Sequence, residues 1–303
     1  MNIARAARAA LGRVLRGTGE FVSHVYVKAG QDDIFFLAGG IAYNLMFAAV
    51  PFLLMLIAVF GFVLQAVVDD PQAAVVNFVF ENILPPSQRV TNATSGLVED
   101  VLQGRTGFGL LGLFLFIWGS TRLFGTLRAV LKDIFDLPEE RGIVEGKIFD
   151  LQMVIVAGTL FVANTGITVV LEAAQRFGIE LLGIGGRKEV QALQQLWGSL
   201  LAFFFIFVMF LLIFRFLPKR RTPWRMALVA ASFTSVAWEL LKGLFASFVV
   251  NGVTLNRTYG ALVAPLLIVL WIYYSGVVFV LGGEIAHVYE LFRVRRSQRE
   301  MLE

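Results

Sequence analysis

The stretch that most limits how this chain can fold is Tyr259–Glu284, YGALVAPLLIVLWIYYSGVVFVLGGE, which carries no charge from Gly260 to Gly283 and then ends on a carboxylate. At about 1.5 Å rise per residue, these two dozen residues make a helix long enough to cross a ~30 Å hydrocarbon layer. A plain anchor needs none of its polar features: Pro265, Tyr273, Tyr274, Ser275 and the two glycines before Glu284. Trp271, Tyr273 and Tyr274 lie too deep for an interfacial belt, so they are expected to face other helices.

The composition extends this reading to the whole chain. Of 303 residues, 57% are hydrophobic and 16% charged, with a mean hydropathy of +0.75. A soluble domain carries about one quarter charged residues, so this is not an ordinary globular protein. The absence of cysteine excludes disulfides, thiolate metal sites and a cysteine nucleophile. The two histidines, His24 and His287, stand near opposite ends, which argues against a His/carboxylate metal centre. No cofactor is expected.

Residues 1–30 are basic. Ile3, Ala7, Leu11, Val14, Thr18, Phe21, Val22 and Val25 recur at steps of three and four, with Arg5, Arg8, Arg13, Arg16 and Lys28 mostly off that line. This pattern predicts an amphipathic helix in the headgroup region; a mobile basic tail is the alternative, and the Arg-rich start also resembles an organelle presequence. Asp32-Asp33 caps an uncharged run of 31 residues, Ile34–Leu64. As one helix it measures about 46 Å, so it must tilt, bend or protrude. Pro51 removes a backbone hydrogen bond in its middle, and Tyr43 and Asn44 place polar groups that need partners in lipid.

Asp69–Thr106 is too apolar for a free linker and predicts an outward-facing helical hairpin packed on the membrane surface or over the bundle, with Asp70-Pro71 starting one helix and Pro85-Pro86 ending it. Further spans are expected at 107–126, 149–171, 196–214, 226–250 and 260–284, the last continuing into a basic tail, 291–303. The expected fold is therefore all-α: a six-helix transmembrane domain over 31–290, preceded by the amphipathic helix and interrupted by the outer loop at 69–106. Six spans put both termini on one side. Segments on that side hold 18 Lys and Arg, those on the other side 6. The positive-inside bias makes the terminal side cytoplasmic. The basic pI is thus an orientation signal, and no nucleic-acid partner is expected.

Ionisable groups inside spans are costly and are candidates for function by default. Four qualify: Arg122, Glu239, Lys242 and Glu284. Glu239 and Lys242 lie three apart on one helical face near mid-membrane, either in a polar cavity or as a self-neutralising pair. Arg122, about a turn from the cytoplasmic end, either snorkels to the interface or binds an anionic group. Glu284 is too short to snorkel easily, which calls for a partner such as Arg122 or Lys242. Asn44 and Asn164 read first as glue between helices and second as substrate ligands. Pro51 and Pro265 are expected to kink their helices, exposing carbonyls to protein or a cavity. Carboxylates at Asp133, Asp136, Glu139, Glu140, Glu145 and Asp150 look like a solvated helix–turn–helix. GRTGFG and GIGG lack the strand context and spacing of phosphate loops.

Three segments carry a resemblance: AYNLMFAAVP (42–51), WGSTRLFGTLRAVLKDIFD (118–136) and the opening stretch, 259–284. In this order and spacing the chain resembles the BrkB/YihY family of bacterial inner-membrane proteins, formerly labelled the ribonuclease BN family, over about residues 30–290. Gly283 stands where that family more often has alanine. The resemblance implies a six-span helical protein without an agreed activity; labels range from virulence or serum-resistance factor through ribonuclease to transporter of lipids or lipopolysaccharide precursors. The residues do not favour a nuclease, which needs clustered carboxylates and histidines on a metal, or a histidine acid–base pair.

The leading expectation is a transporter or translocase of an amphipathic anionic substrate such as a lipid. Arg122 and Lys242 would meet the headgroup, with Glu239 and Glu284 as counter-ions or proton acceptors. Tyr43, Asn44, Asn164 and Tyr273 complete the expected pathway or polar network. Without a nucleotide-binding motif, any drive comes from a gradient, a partner or passive scrambling. The alternative is a non-transporting scaffold whose outer loop binds an envelope protein; an enzyme is not expected.

Overall fold

The computed structural model of the chain describes residues 18–65, 105–138, 142, 144–160, 188–251 and 263–300, and among these residues every regular element is helical. They form α1 (18–31), α2 (Ile34–Gln65), α3 (Arg105–Ile134), α4 (144–160), α5 (Lys188–Phe216), α6 (Trp224–Asn251) and α7 (Val263–Glu300). Helix is the predictable outcome in lipid, since only intrasegment hydrogen bonds satisfy the backbone there.

Four of the described helices are long and apolar enough to cross a membrane: Leu110–Ile134, Trp197–Phe216, Trp224–Ser247 and Leu266–Glu300. A shorter apolar helix is marked at Ile34–Ala49 within α2. The expected first span is continuous helix around Pro51, which is buried. The expected third span is described as helix over 144–160, five residues ahead of its expected start. The rest of that span, with Asn164, lies outside the described residues. So do residues 1–17 of the amphipathic helix and nearly all of the outer loop, so the described helices support an all-helical membrane protein without extending the count to six.

The chain divides into two units, one of residues 1–42 and 124–303, the other of residues 43–123. In the first, α6 packs against both α5 and α7. Helix α7 is a hub because its glycines admit neighbouring backbones. A Cβ at Gly276 would stand 3.0 Å from the Ala38 carbonyl oxygen of α2, and one at Gly283 would stand 3.2 Å from Ile134 of α3. At Gly282 a Cβ would overlap the Thr234 hydroxyl of α6. Lipid tails are as apolar as leucine, so helices in a membrane associate through close packing of this kind more than through hydrophobic burial. Between the glycine contacts, Phe214 of α5 stacks on Phe279 of α7 with ring centroids 4.8 Å apart.

The turn from α5 to α6 is closed by side chains. Thr222 Oγ1 donates to the Phe214 carbonyl at 2.7 Å, and the Arg215 guanidinium donates to the Thr222 carbonyl while lying over the Trp224 ring. In the second unit, α2 and α3 meet where a Cβ at Gly119 would lie 3.1 Å from the Ala48 Cα. Beside that contact, Phe47 and Trp118 meet edge to face at 5.3 Å.

Candidate functional site

The charges that the fold gathers lie at the C-terminal end of the opening stretch. Helix α1 ends at residue 31, and the Asp32 amide still bonds the Lys28 carbonyl. Asp33, with φ of 48°, then turns the chain, and its carbonyl accepts the first bonds of α2 from Phe36 and Leu37. A second aspartate does the same at the end of α3. Asp136 also has φ of 48°, with its amide bonded to Asp133 and the Leu137 amide bonded back to Lys132. This is a Schellman closure with aspartate where glycine is usual, a left-handed position that aspartate tolerates better than most residues. It also sets a carboxylate at the negative end of a helix dipole, which is locally unfavourable.

Lys28 compensates. Its ammonium lies 2.9 and 3.1 Å from the two Asp32 oxygens, one helical turn away, and 3.1 and 3.2 Å from those of Asp136, 108 residues away. Burial by itself lowers the Lys28 pKa, but its hydrogen bonds to Asp32 and Asp136 outweigh that and hold it above the ordinary 10.5. His287 Nε2 approaches Asp136 at 3.3 Å from α7, and its ring stacks on Phe135. Three residues back on the same face, Glu284 is fully buried, and among the described residues no group donates a hydrogen bond to either of its oxygens. The charged groups that act on it are Asp32, Lys28 and Asp136. On α6, the Thr234 and Ser235 hydroxyls are buried and likewise unpaired.

Two cavities flank this cluster. One of about 320 Å³ is lined by His24, Lys28, Gln31, Val288, Phe292 and Arg295. The other, of about 300 Å³, has Arg220, Arg221 and His287 on its wall together with Phe135, Met226 and Leu291. A second ion pair ties α3 to α4: Arg128 reaches the fully buried Asp150 at 3.3 Å. Gly146 leaves room for the Arg128 guanidinium, and Gly125 for the Asp150 carboxylate.

These positions correct the sequence reading in three places. Asp150 does not belong to a solvated helix–turn–helix, because it is fully buried beneath Arg128, whereas Asp136 is exposed and also joins a charge cluster. Lys242 is not a partner of Glu284: it pairs with Glu239 at 2.5 Å. On antiparallel α6 and α7, Gly282 meets Thr234 while Trp271 meets Phe245, which places Lys242 roughly 15 Å along α6 from the level of Glu284. Tyr274 does not face another helix; it is exposed, whereas Tyr273 donates a long hydrogen bond of 3.4 Å to the Phe35 carbonyl. Adjacent helical residues point about 100° apart, so one neighbour cannot cover both tyrosines. Pro265 falls in the first described turn of α7.

In the second unit, Arg122 is half-buried over the rings of Phe47 and Trp118, at 5.5 and 5.7 Å. Asn44 is buried and Tyr43 exposed. Lys28, Asp32, Asp136 and His287 were not singled out from sequence as site residues. The spacings Lys28/Asp32 and Glu284/His287 are helical neighbours and were legible as pairs; what joins the pairs is tertiary. Among the described residues, no three carboxylates and imidazoles converge as a metal-ligand set. An ammonium, that of Lys28, bridges Asp32 and Asp136.

The family profile described as virulence factor BrkB matches residues 25–302. A "UPF0761 membrane protein" of Alkalilimnicola ehrlichii is 26% identical over 96% of this chain and 64% of its own length. One from Chlorobium chlorochromatii is 29% identical over 88% and 59%, and one from Psychromonas ingrahamii 24% identical over 91% and 89%. The chain thus spans less than two thirds of the first of these relatives. No solved structure matches it.

Proposed function

The chain belongs to the virulence factor BrkB family of membrane proteins, and from that premise we propose that it is a transporter or translocase of an amphipathic anionic substrate such as a lipid. The observation that carries this is the cavity of about 300 Å³ in which Arg220, Arg221 and His287 share a wall with Phe135, Met226 and Leu291. Two guanidiniums suit a phosphate headgroup, and the apolar side suits the start of an acyl chain. Arg122 and Lys242 remain in the proposal as headgroup contacts, with Glu239 and Glu284 as counter-ions or proton acceptors. Six spans, the outer loop at 69–106 and cytoplasmic termini are part of the same proposal, supported by 18 Lys and Arg on one side against 6 on the other. A reporter fused within 85–95 tests the topology; a cytoplasmic signal there overturns it.

Reconstitution with labelled anionic lipids tests the transport itself. Flux above that of empty liposomes is expected, with loss in Arg220→Ala/Arg221→Ala; rates equal to empty liposomes across several anionic lipids overturn the proposal. The second reading, a scaffold whose outer loop holds an envelope protein, is favoured by the self-pairing of Glu239 with Lys242. Glu239→Ala/Lys242→Ala separates the two: a transporter loses flux while still folding, whereas a scaffold loses stability with no substrate phenotype. An enzymatic role, the nuclease label included, draws no support from any nucleophile–base pairing in the described site.

A further inference from the structure

Glu284 poses a problem of charge. It is fully buried, among the described residues no group donates a hydrogen bond to either oxygen, and one of the charged groups acting on it, Asp32, is another carboxyl. An isolated buried carboxylate is among the costliest groups a fold can hold, and a second carboxylate nearby adds repulsion. The surroundings supply no remedy for Glu284. From α1 and its exit come Lys28, which is bonded to Asp32 and Asp136, and Asp32 itself; from the end of α3 comes Asp136; on α7 there is His287, directed at Asp136. The face of α6 packed at Gly282 offers the Thr234 and Ser235 hydroxyls and no titratable group.

We propose that Glu284 is a proton-binding site, loaded at neutral pH, which the cluster of Asp32, Lys28, Asp136 and His287 connects to water. The connection is continuous: Asp136 has its side chain 64% exposed, it touches both His287 and Lys28, and Lys28 touches Asp32. Loading forms one O–H bond on Glu284 with a proton taken from bulk water, and unloading returns that proton; no other bond changes. The inference deepens the transport reading by naming the coupling ion, and rests on that reading only for the use made of the proton.

Infrared spectroscopy of the full chain in lipid nanodiscs tests the site without any substrate. A protonated-carboxyl carbonyl band is expected at neutral pH in the wild type, lost on raising the pH and absent from Glu284→Gln, whose amide keeps a donor toward Asp32. Asp32→Asn removes the carboxylate that repels an ionised Glu284, so the band should fall at neutral pH. If Glu284→Gln does not fold, the wild-type titration and Asp32→Asn decide the matter. A wild-type spectrum with no such band, or a band unaffected by either substitution, overturns the proposal. The band present without lipid flux in proteoliposomes overturns transport and leaves the proton site standing.

Discussion

Two sets of charges in the first unit solve the same problem in opposite ways. Glu239 and Lys242 sit three residues apart on one helix, 2.5 Å from each other, with side chains 36% and 41% exposed. Each neutralises the other without help from another element. Glu284 has no opposite charge on its own face. Its setting is assembled from α1, the end of α3 and α7, and its oxygens remain without a donor. The local pair gains little beyond neutrality and can be removed as a unit. The assembled cluster couples three helical segments, so removing one member leaves buried charge elsewhere.

That contrast breaks first at Lys28. Lys28→Met strips the shared cation from Asp32 and Asp136 and should lower the unfolding free energy by about 3 kcal/mol, read by chemical denaturation in detergent. A loss below about 1 kcal/mol would make the cluster as dispensable as a surface pair and erase the distinction. Next is the packing that builds the cluster. Gly282→Ala drives a Cβ into the Thr234 hydroxyl and should cost about 1–3 kcal/mol. Thr234→Ala in the same chain should restore most of that loss; additive effects would mean that α6 and α7 do not depend on this contact.

Alkaline pH probes the cluster without mutation. The Lys28 pKa is raised above 10.5 in the folded chain, so its contribution is fully present below that value and is lost as pH rises through the folded one. The wild-type melting temperature should therefore fall more steeply above pH 10.5 than that of Lys28→Met; parallel profiles contradict the assigned contacts. The smallest effect belongs to the local pair. Glu239→Gln/Lys242→Met should change stability by less than about 1 kcal/mol, and a larger loss would show a tertiary role that the i,i+3 contact conceals.

The sequence revealed each kind of charge to a different degree. Glu239 and Lys242 were legible as a possible pair because helical periodicity alone brings residues three apart together. Glu284 stood out because a carboxylate ends an uncharged run, and the glycines before it hinted at close packing. Asp136 could not be placed from sequence, since among acidic neighbours such as Asp133 only its left-handed turn at the end of α3 aims it at Lys28. Asp150 looked solvated for the same reason: its burial depends on Arg128 crossing the glycine gap at 146.

By itself the sequence determined that the chain is a bundle of apolar helices and where most of them run, because hydrocarbon allows few other backbones and the uncharged runs have the required length. It also marked α7 as the exceptional helix. Only the tertiary structure decided what the end of that helix is for. Charges separated by more than 100 residues meet there because Gly276, Gly282 and Gly283 let three other helices approach the same backbone. Glycine in a sequence says that approach is permitted; which neighbour arrives, and which carboxylate it carries, is settled by packing.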